Sequence, residues 1–301
     1  MTSSVNPQWL VRPERSNRLT IRFMVWMALS LGRAVTRLLL HPICIYFLLF
    51  SPAARASSRE FLRRALAPGR APRWLGPYRS FHCFASTILD RVFLLNDRHD
   101  LFDIRVFGSD IMAAHRASGT GVLLIGAHLG SFEITRALGR QMHVPRISLV
   151  MYEENARKLN SVLAAINPRL SLDVIALGHV DSMLQVESAL ERGECVGMLA
   201  DRTIDGEGTQ RLPFLGQAAA FPTGPFRIAG MLGRPVVLMF GLYRGGNRYE
   251  VHFEPLSEMQ AARREERSVV VDAAQRRYAE RLEYHARNAP YNWFNYYDFW
   301  K

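Results

Sequence analysis

Cysteine, lysine and long uncharged apolar runs are scarce in this chain of 301 residues, and each scarcity excludes something. Cys44, Cys83 and Cys195 are far apart, odd in number and form no C-x-x-C pair, which argues against a disulfide framework, a zinc knuckle or a dithiol redox centre. A reducing compartment is the default, and Cys195, within the apolar run CVGMLA, reads as a small core residue. The chain also lacks G-x-S-x-G, H-E-x-x-H, a Walker loop, G-x-G-x-x-G and an EF-hand, DGEG (205–208) being too short for the last. The commonest serine hydrolase, zinc protease and nucleotide-binding classes go with them. Lysine occurs only as Lys158 and Lys301, so arginine supplies 36 of the 38 basic residues, a compositional bias that proves little by itself.

What is present is a globular composition, 49% apolar and 22% charged, with a net charge of +11 that is unevenly placed. Residues 1–100 hold 15 arginines against five acids, and residues 101–301 are nearly neutral. Within the basic third, FMVWMALSLG (23–32) and LLLHPICIYFLLF (38–50) are each too short for the ~20 residues of a spanning helix. Joined, they carry Arg33 and Arg37 near the middle, at roughly 2.5–3.5 kcal/mol each on insertion scales. The pattern favours an amphipathic helical hairpin in or on a membrane, its arginines reaching to phosphates and its basic flanks on the cytoplasmic face. A buried hairpin of a soluble domain is the alternative reading; a cleaved signal peptide fits poorly because of the long, arginine-marked N-terminal stretch. Nucleic acid is not expected, because the basic residues flank an apolar run instead of alternating with stacking aromatics.

Beyond residue 100, apolar runs alternate with helical periodicity. Strands are expected at 102–107, 121–127, 146–151, 171–177, 195–200, 235–243 and 248–255, with helices near 131–141, 153–166, 180–192, 222–233 and 261–288. This is an α/β pattern, a mixed and largely parallel sheet flanked by helices, and Gly245-Gly246-Asn247 predicts one antiparallel hairpin between the last two strands. Asp181 is a candidate N-cap for the helix that ends before Gly193. The division expected is 1–100, a helical membrane-associating region, and 101–301, one catalytic-size domain.

Ligands of such sheets gather beyond the carboxyl ends of strands. There GVLLIGA is followed by His128, Gly130, Ser131 and Glu133. If the helix begins only at Gly130 or Ser131, the loop can fold His128 back to Glu133, whose carboxylate would fix the imidazole tautomer for proton abstraction from a hydroxyl. A capping carboxylate beside an incidental histidine is equally compatible with the spacing.

An H-x-x-x-x-D/E pair after an apolar strand resembles the first motif of the glycerolipid (lysophospholipid) acyltransferase superfamily, and the Glu version is similar to the bacterial lipid A biosynthesis acyltransferases, the lauroyl and myristoyl type. GMLADRTIDGEG (197–208), PFLGQAAAFPTGPFRIAGMLGRPVV (213–237) and the aromatic tail APYNWFNYYDFWK (289–301) resemble that family's later segments in order. The tail departs from the usual Pro-x-x-Trp-x-Trp ending, and with RPERSN (12–17) it is more similar to members found in aryl polyene clusters. The resemblance implies acyl transfer from a thioester, on acyl carrier protein, to a hydroxyl of a lipid or glycolipid at the cytoplasmic face of the inner membrane, with His128 as base, Glu133 as its partner and no metal or organic cofactor.

Backbone N–H groups around Gly130 and Ser131 are candidate oxyanion donors. Asp201 and Arg202 either bind polar parts of a substrate or form a paired loop. Arg211 and Arg227 either meet phosphate or are solvated. Gly216 and Gly224 belong to the F-x-G and P-x-G runs, and Phe214, Phe221 and Phe226 are either an acyl groove or plain core. The other histidines have no partner at ligand spacing. A lipid binder without catalysis on the same fold is the competing class.

Overall fold

The computed structural model describes residues 18–67, 75–132, 134, 147–167, 173–178, 181–203, 208–257 and 267–301. Seven strands form one sheet: β1 (Asp103–Phe107), β2 (Val122–Gly126), β3 (Ile147–Tyr152), β4 (Val174–Leu177), β5 (Cys195–Leu199), β8 (Val236–Tyr243) and β9 (Arg248–Ser257). Their order is β1-β9-β8-β2-β5-β3-β4. Every neighbouring pair is parallel except β8 and β9, which the turn with positive φ at Gly245 and Gly246 joins as an antiparallel hairpin. The mixed, largely parallel α/β sheet read from the sequence is therefore present. β2 and β8, apolar along their whole length, are buried at every residue and form the middle of the core, as strands covered on both faces must.

The helices are α1 (Arg18–Phe50), α2 (Pro52–Ala65), α3 (Leu75–Leu94), α4 (Ser109–Ala117), α5 (Glu153–Ile166), α6 (Ser182–Glu191), α7 (Gly224–Leu232) and α8 (Arg267–Asn288). Proline in the first turn starts α2 and α7, and Gly233, at φ 57, ends α7 in the left-handed cap that glycine adopts cheaply. Asp181 does stand at the N-cap of α6, but its carboxylate accepts from Gln185 Nε2 at 2.7 Å and caps no backbone N–H. A two-stranded hairpin, β6 (Thr209–Phe214) and β7 (Gln217–Pro222), and the helix α4 were not foreseen. The helix expected near 131–141 lies mostly outside the described residues.

In the N-terminal third the break is not where the hairpin reading put it. The segment 33–37 is helical, and α1 is interrupted at Gly32, whose φ of 78 only glycine takes without strain. Both arginines are engaged within the fold. Arg33 donates from Nε and Nη2 to the two oxygens of fully buried Asp90, at 2.7 and 2.8 Å, and Asp90 also accepts from Tyr249 Oη at 2.8 Å. Arg33 and Arg37 both donate to the Gly246 carbonyl in the β8–β9 turn. The inner face of α1, with Val25, Ala28, Leu40, Cys44 and Leu48, is buried, so the helix is latched onto the sheet domain at the turn following the carboxyl end of β8. Its outer face is left apolar: Trp26, Leu38 and Phe50 are each more than 60% exposed. Ile21–Phe50 is long and apolar enough to cross a membrane by length and composition.

Candidate active site

The parallel register of β2 and β5 sets the site. Gly126 lies opposite Leu199, so His128 and Asp201, each two residues further along, leave the same sheet edge side by side. His128 Nδ1 is 2.9 Å from Asp201 Oδ1, and the His128 backbone N–H donates to Oδ2 at 3.0 Å. A third donor, Asn295 Nδ2, reaches Oδ2 at 2.7 Å. Asp201 is fully buried. Burial pushes its carboxyl up, but the charge and hydrogen bond of His128, the charge of Arg202 and the Asn295 bond outweigh this and hold it at about 2. The group is therefore a carboxylate at neutral pH, and a carboxylate only accepts. It follows that Nδ1 carries the proton and the basic lone pair belongs to Nε2.

The loop after β2 is tied on two sides. Ser131 N–H donates to the Gly241 carbonyl of β8 at 2.7 Å, and Gly130 N–H to the Asn292 carbonyl at 2.9 Å. These two bonds correct the expectation that the N–H groups of Gly130 and Ser131 receive an oxyanion, since both already donate within the fold. Gly130 has φ 81, and a Cβ there would lie 2.0 Å from the Gly241 oxygen; Gly241 in turn has no room for one, because it would lie 2.2 Å from the Ser131 oxygen. Two glycines, one on each side, are what allow the loop to lie on the strand.

The C-terminal segment makes the other tie. Leu129 forms a bridge with Trp293, and Phe294 N–H donates to the His128 carbonyl at 2.9 Å. The Asn292 side chain accepts from Tyr243 N–H at 2.7 Å and donates to the Tyr243 carbonyl at 3.0 Å, continuing the end of β8 as a strand would. Arg202 donates to Asn295 Oδ1 at 2.8 Å and to the Phe294 carbonyl at 3.4 Å. So His128, Asp201, Arg202 and Asn295 form one connected group. The sequence marks the tail only as aromatic-rich; Asn292 and Asn295 carry no local signal, and only the fold brings their amides to β8 and to Asp201.

Glu133 lies outside the described residues. Of the others, Phe214 is completely buried, its ring among Phe221, Trp293, Phe299 and Trp300, and Phe221 and Phe226 are equally buried against Tyr278. These three rings pack as core, the second of the two readings that the sequence left open for them. Gly216, at φ 83, makes the exposed β6–β7 turn; Arg211 is exposed and donates to the Ala218 carbonyl across that hairpin. Gly224 opens α7, and Arg227 on it is exposed.

Away from this site, His252, Glu254 and His285 bring their ligand atoms within 4.8 Å of one another. Both Glu254 oxygens already accept from Arg281, at 2.6 and 2.8 Å, and one also meets His285 Nε2 at 2.8 Å, so the group ties β9 to α8.

With this geometry in view, residues 80–301 match the family model described as bacterial lipid A biosynthesis acyltransferase. No curated protein matches the chain.

Proposed function

Because the chain belongs to the bacterial lipid A biosynthesis acyltransferase family, we propose that it moves an acyl chain from an acyl carrier protein thioester to a hydroxyl of a lipid or glycolipid acceptor, with His128 as general base. The observation that carries this reading is the buried, ionised Asp201 on His128 Nδ1, at the carboxyl edge of the sheet.

In the reaction proposed, Nε2 takes the proton of the acceptor hydroxyl as its oxygen attacks the thioester carbonyl carbon. The Asp201 carboxylate stabilises the imidazolium so formed. Collapse of the tetrahedral intermediate forms the ester, breaks the C–S bond, and returns the proton from Nε2 to the departing thiolate. The sum is one ester and one thiol, with no change of oxidation state and no cofactor consumed. Asp201 and Asn295 act through His128 and are positioning residues. Glu133 is the carboxylate that the family resemblance assigns to the same imidazole, and the tail is more similar to members found in aryl polyene clusters than to the usual family ending.

The exposed apolar face of α1, beside a docked inner face, supports attachment to the membrane from one side, which we assign to the cytoplasmic face of the inner membrane. The test is transfer of radiolabelled acyl from acyl carrier protein to extracted membrane lipid by purified protein. His128→Ala should abolish it, and full activity in that variant overturns the mechanism. Asp201→Asn and Glu133→Gln, run side by side, decide which carboxylate the imidazole depends on.

A further inference from the structure

The apolar outer surface of α1 and α3 has a polar inset. His41 of α1 and His82 of α3 stack at 4.9 Å between ring centroids, and His41 Nδ1 is hydrogen-bonded to Tyr78 Oη at 2.5 Å. Tyr78 and His82 stand one turn apart on α3, as Arg37 and His41 do on α1, so four polar side chains meet across one helix pair. Arg37 is steadied by the Gly246 carbonyl at 3.1 Å and by the Tyr243 ring at 5.9 Å. Among the described residues, none of these groups has a carboxylate partner, although charged Arg37 and two imidazoles share the inset. Beside it on α1, one turn before and one turn after His41, lie exposed Leu38 and Ile45.

Two cation-forming imidazoles against a guanidinium are unfavourable unless an anion lies between them. Burial, then His41 and Arg37, lower the His82 pKa, which favours the neutral ring. The groups facing it are His41 and Arg37 from α1 and Tyr78 from α3. A guanidinium fork, two ring N–H donors and a phenol match the oxygens of a phosphate. The apolar rim favours a phosphate that arrives on a lipid over one free in solution.

We propose that Arg37, His41, Tyr78 and His82 form a binding site for the phosphate of a lipid headgroup, which seats the N-terminal helices against the membrane beside the carboxyl edge of the sheet. The site rests on the membrane reading above, and the experiment separates the two. Full-length protein is co-sedimented with vesicles of phosphatidylcholine alone and of phosphatidylcholine with phosphatidylglycerol, whose charge does not change between pH 6 and pH 8. Binding to the mixed vesicles should rise several-fold from pH 8 to pH 6, as the imidazoles charge against the phosphate. The His41→Gln/His82→Gln double variant should lose that rise while still binding neutral vesicles. Arg37→Gln should weaken mixed-vesicle binding roughly fivefold at either pH, with Arg37→Lys recovering part of it. A double variant that keeps the pH dependence overturns the site. Competition by millimolar inorganic phosphate equal to the loss in the variants overturns the lipid as its source. Absence of binding to either vesicle overturns the membrane reading itself.

Discussion

Replacing Asp201 by Asn changes one oxygen to an NH2 and keeps the shape, so its effect can be worked out from the three donors around it. The carboxylate accepts from the His128 backbone at 3.0 Å, His128 Nδ1 at 2.9 Å and Asn295 Nδ2 at 2.7 Å. The amide has one acceptor oxygen, so it must choose. With its oxygen toward Nδ1, its NH2 faces two N–H donors in a fully buried place, at about 1–3 kcal/mol for each. With its oxygen toward those two donors, its NH2 faces Nδ1 alone, and the ring resolves the conflict by moving its proton to Nε2. The second arrangement loses far less and should prevail. It also removes the proposed base, because the proton now occupies the lone pair that Nε2 would use. Activity is therefore expected to fall much further than stability: roughly 10²–10⁴-fold in kcat, the range of general-base catalysis, with KM within a few-fold of wild type. Initial rates of acyl transfer in detergent, with a urea melt of the same sample, check both halves. A kcat within threefold of wild type refutes the reasoning, and so does a variant that simply fails to fold.

The same carboxylate gives a pH signature. Held at about 2 against an ordinary 3.8, Asp201 contributes roughly 2 kcal/mol of stability that is fully present above its unfolded value and lost as pH falls toward 2; urea midpoints between pH 7 and pH 3 should drop more steeply in wild type than in Asp201→Asn. Arg33→Met leaves Asp90 buried with Tyr249 as its remaining partner and should cost about 3–5 kcal/mol in a thermal melt, whereas Arg33→Met/Asp90→Leu should recover much of it. Gly241→Ala puts a Cβ 2.2 Å from the Ser131 oxygen and 2.6 Å from Ile134 Cγ2, so the His128 loop must lift; kcat should fall at least tenfold with unchanged circular dichroism. Gly119→Ala, with φ 66 but open space around it, should cost about 1 kcal/mol and leave the rate alone.

Much of the sheet was legible because buried parallel strands are written as uninterrupted apolar runs, and each of the seven was foreseen within a few residues. The β6–β7 hairpin was not, because its second strand is Gln217 followed by three alanines, residues that carry no β signal, and of its last two residues only Phe221 does, since Pro222 argues against a strand. The partner of His128 was only half visible. The strands end alike, one in Ala127 and then His128, the other in Ala200 and then Asp201, a parallel that could have paired them. Turning the likeness into a contact needs the register of β2 against β5, which no local pattern contains. The expected role of the Gly130 and Ser131 N–H groups failed for a related reason. Their partners are Gly241 and Asn292, more than a hundred residues away, and the spacing of a loop says nothing about what lies across from it.

Those distant partners tie segments far apart in the sequence to the His128 loop. The tail ties the His128 loop through Asn292, Trp293 and Phe294, and fixes Asp201 through Asn295. It also lies against the N-terminal layer: Phe84 of α3 packs edge-on to Phe294 at 5.1 Å, and Tyr296 Oη donates to the Ser80 carbonyl at 3.1 Å. α3 in turn holds α1 through Asp90 and Arg33. The geometry of the site thus depends on contacts from both ends of the chain, the basic apolar helices and the aromatic tail, whereas the two proposed reacting and positioning groups sit on the sheet between them. On this reasoning, loosening the latch at Arg33 should reach His128 only by way of α3 and the tail. Arg33→Met is then expected to lower kcat by less than Asn295→Ala, which cuts the last link directly. The reverse order would mean that α1 acts on the site by a route other than these contacts.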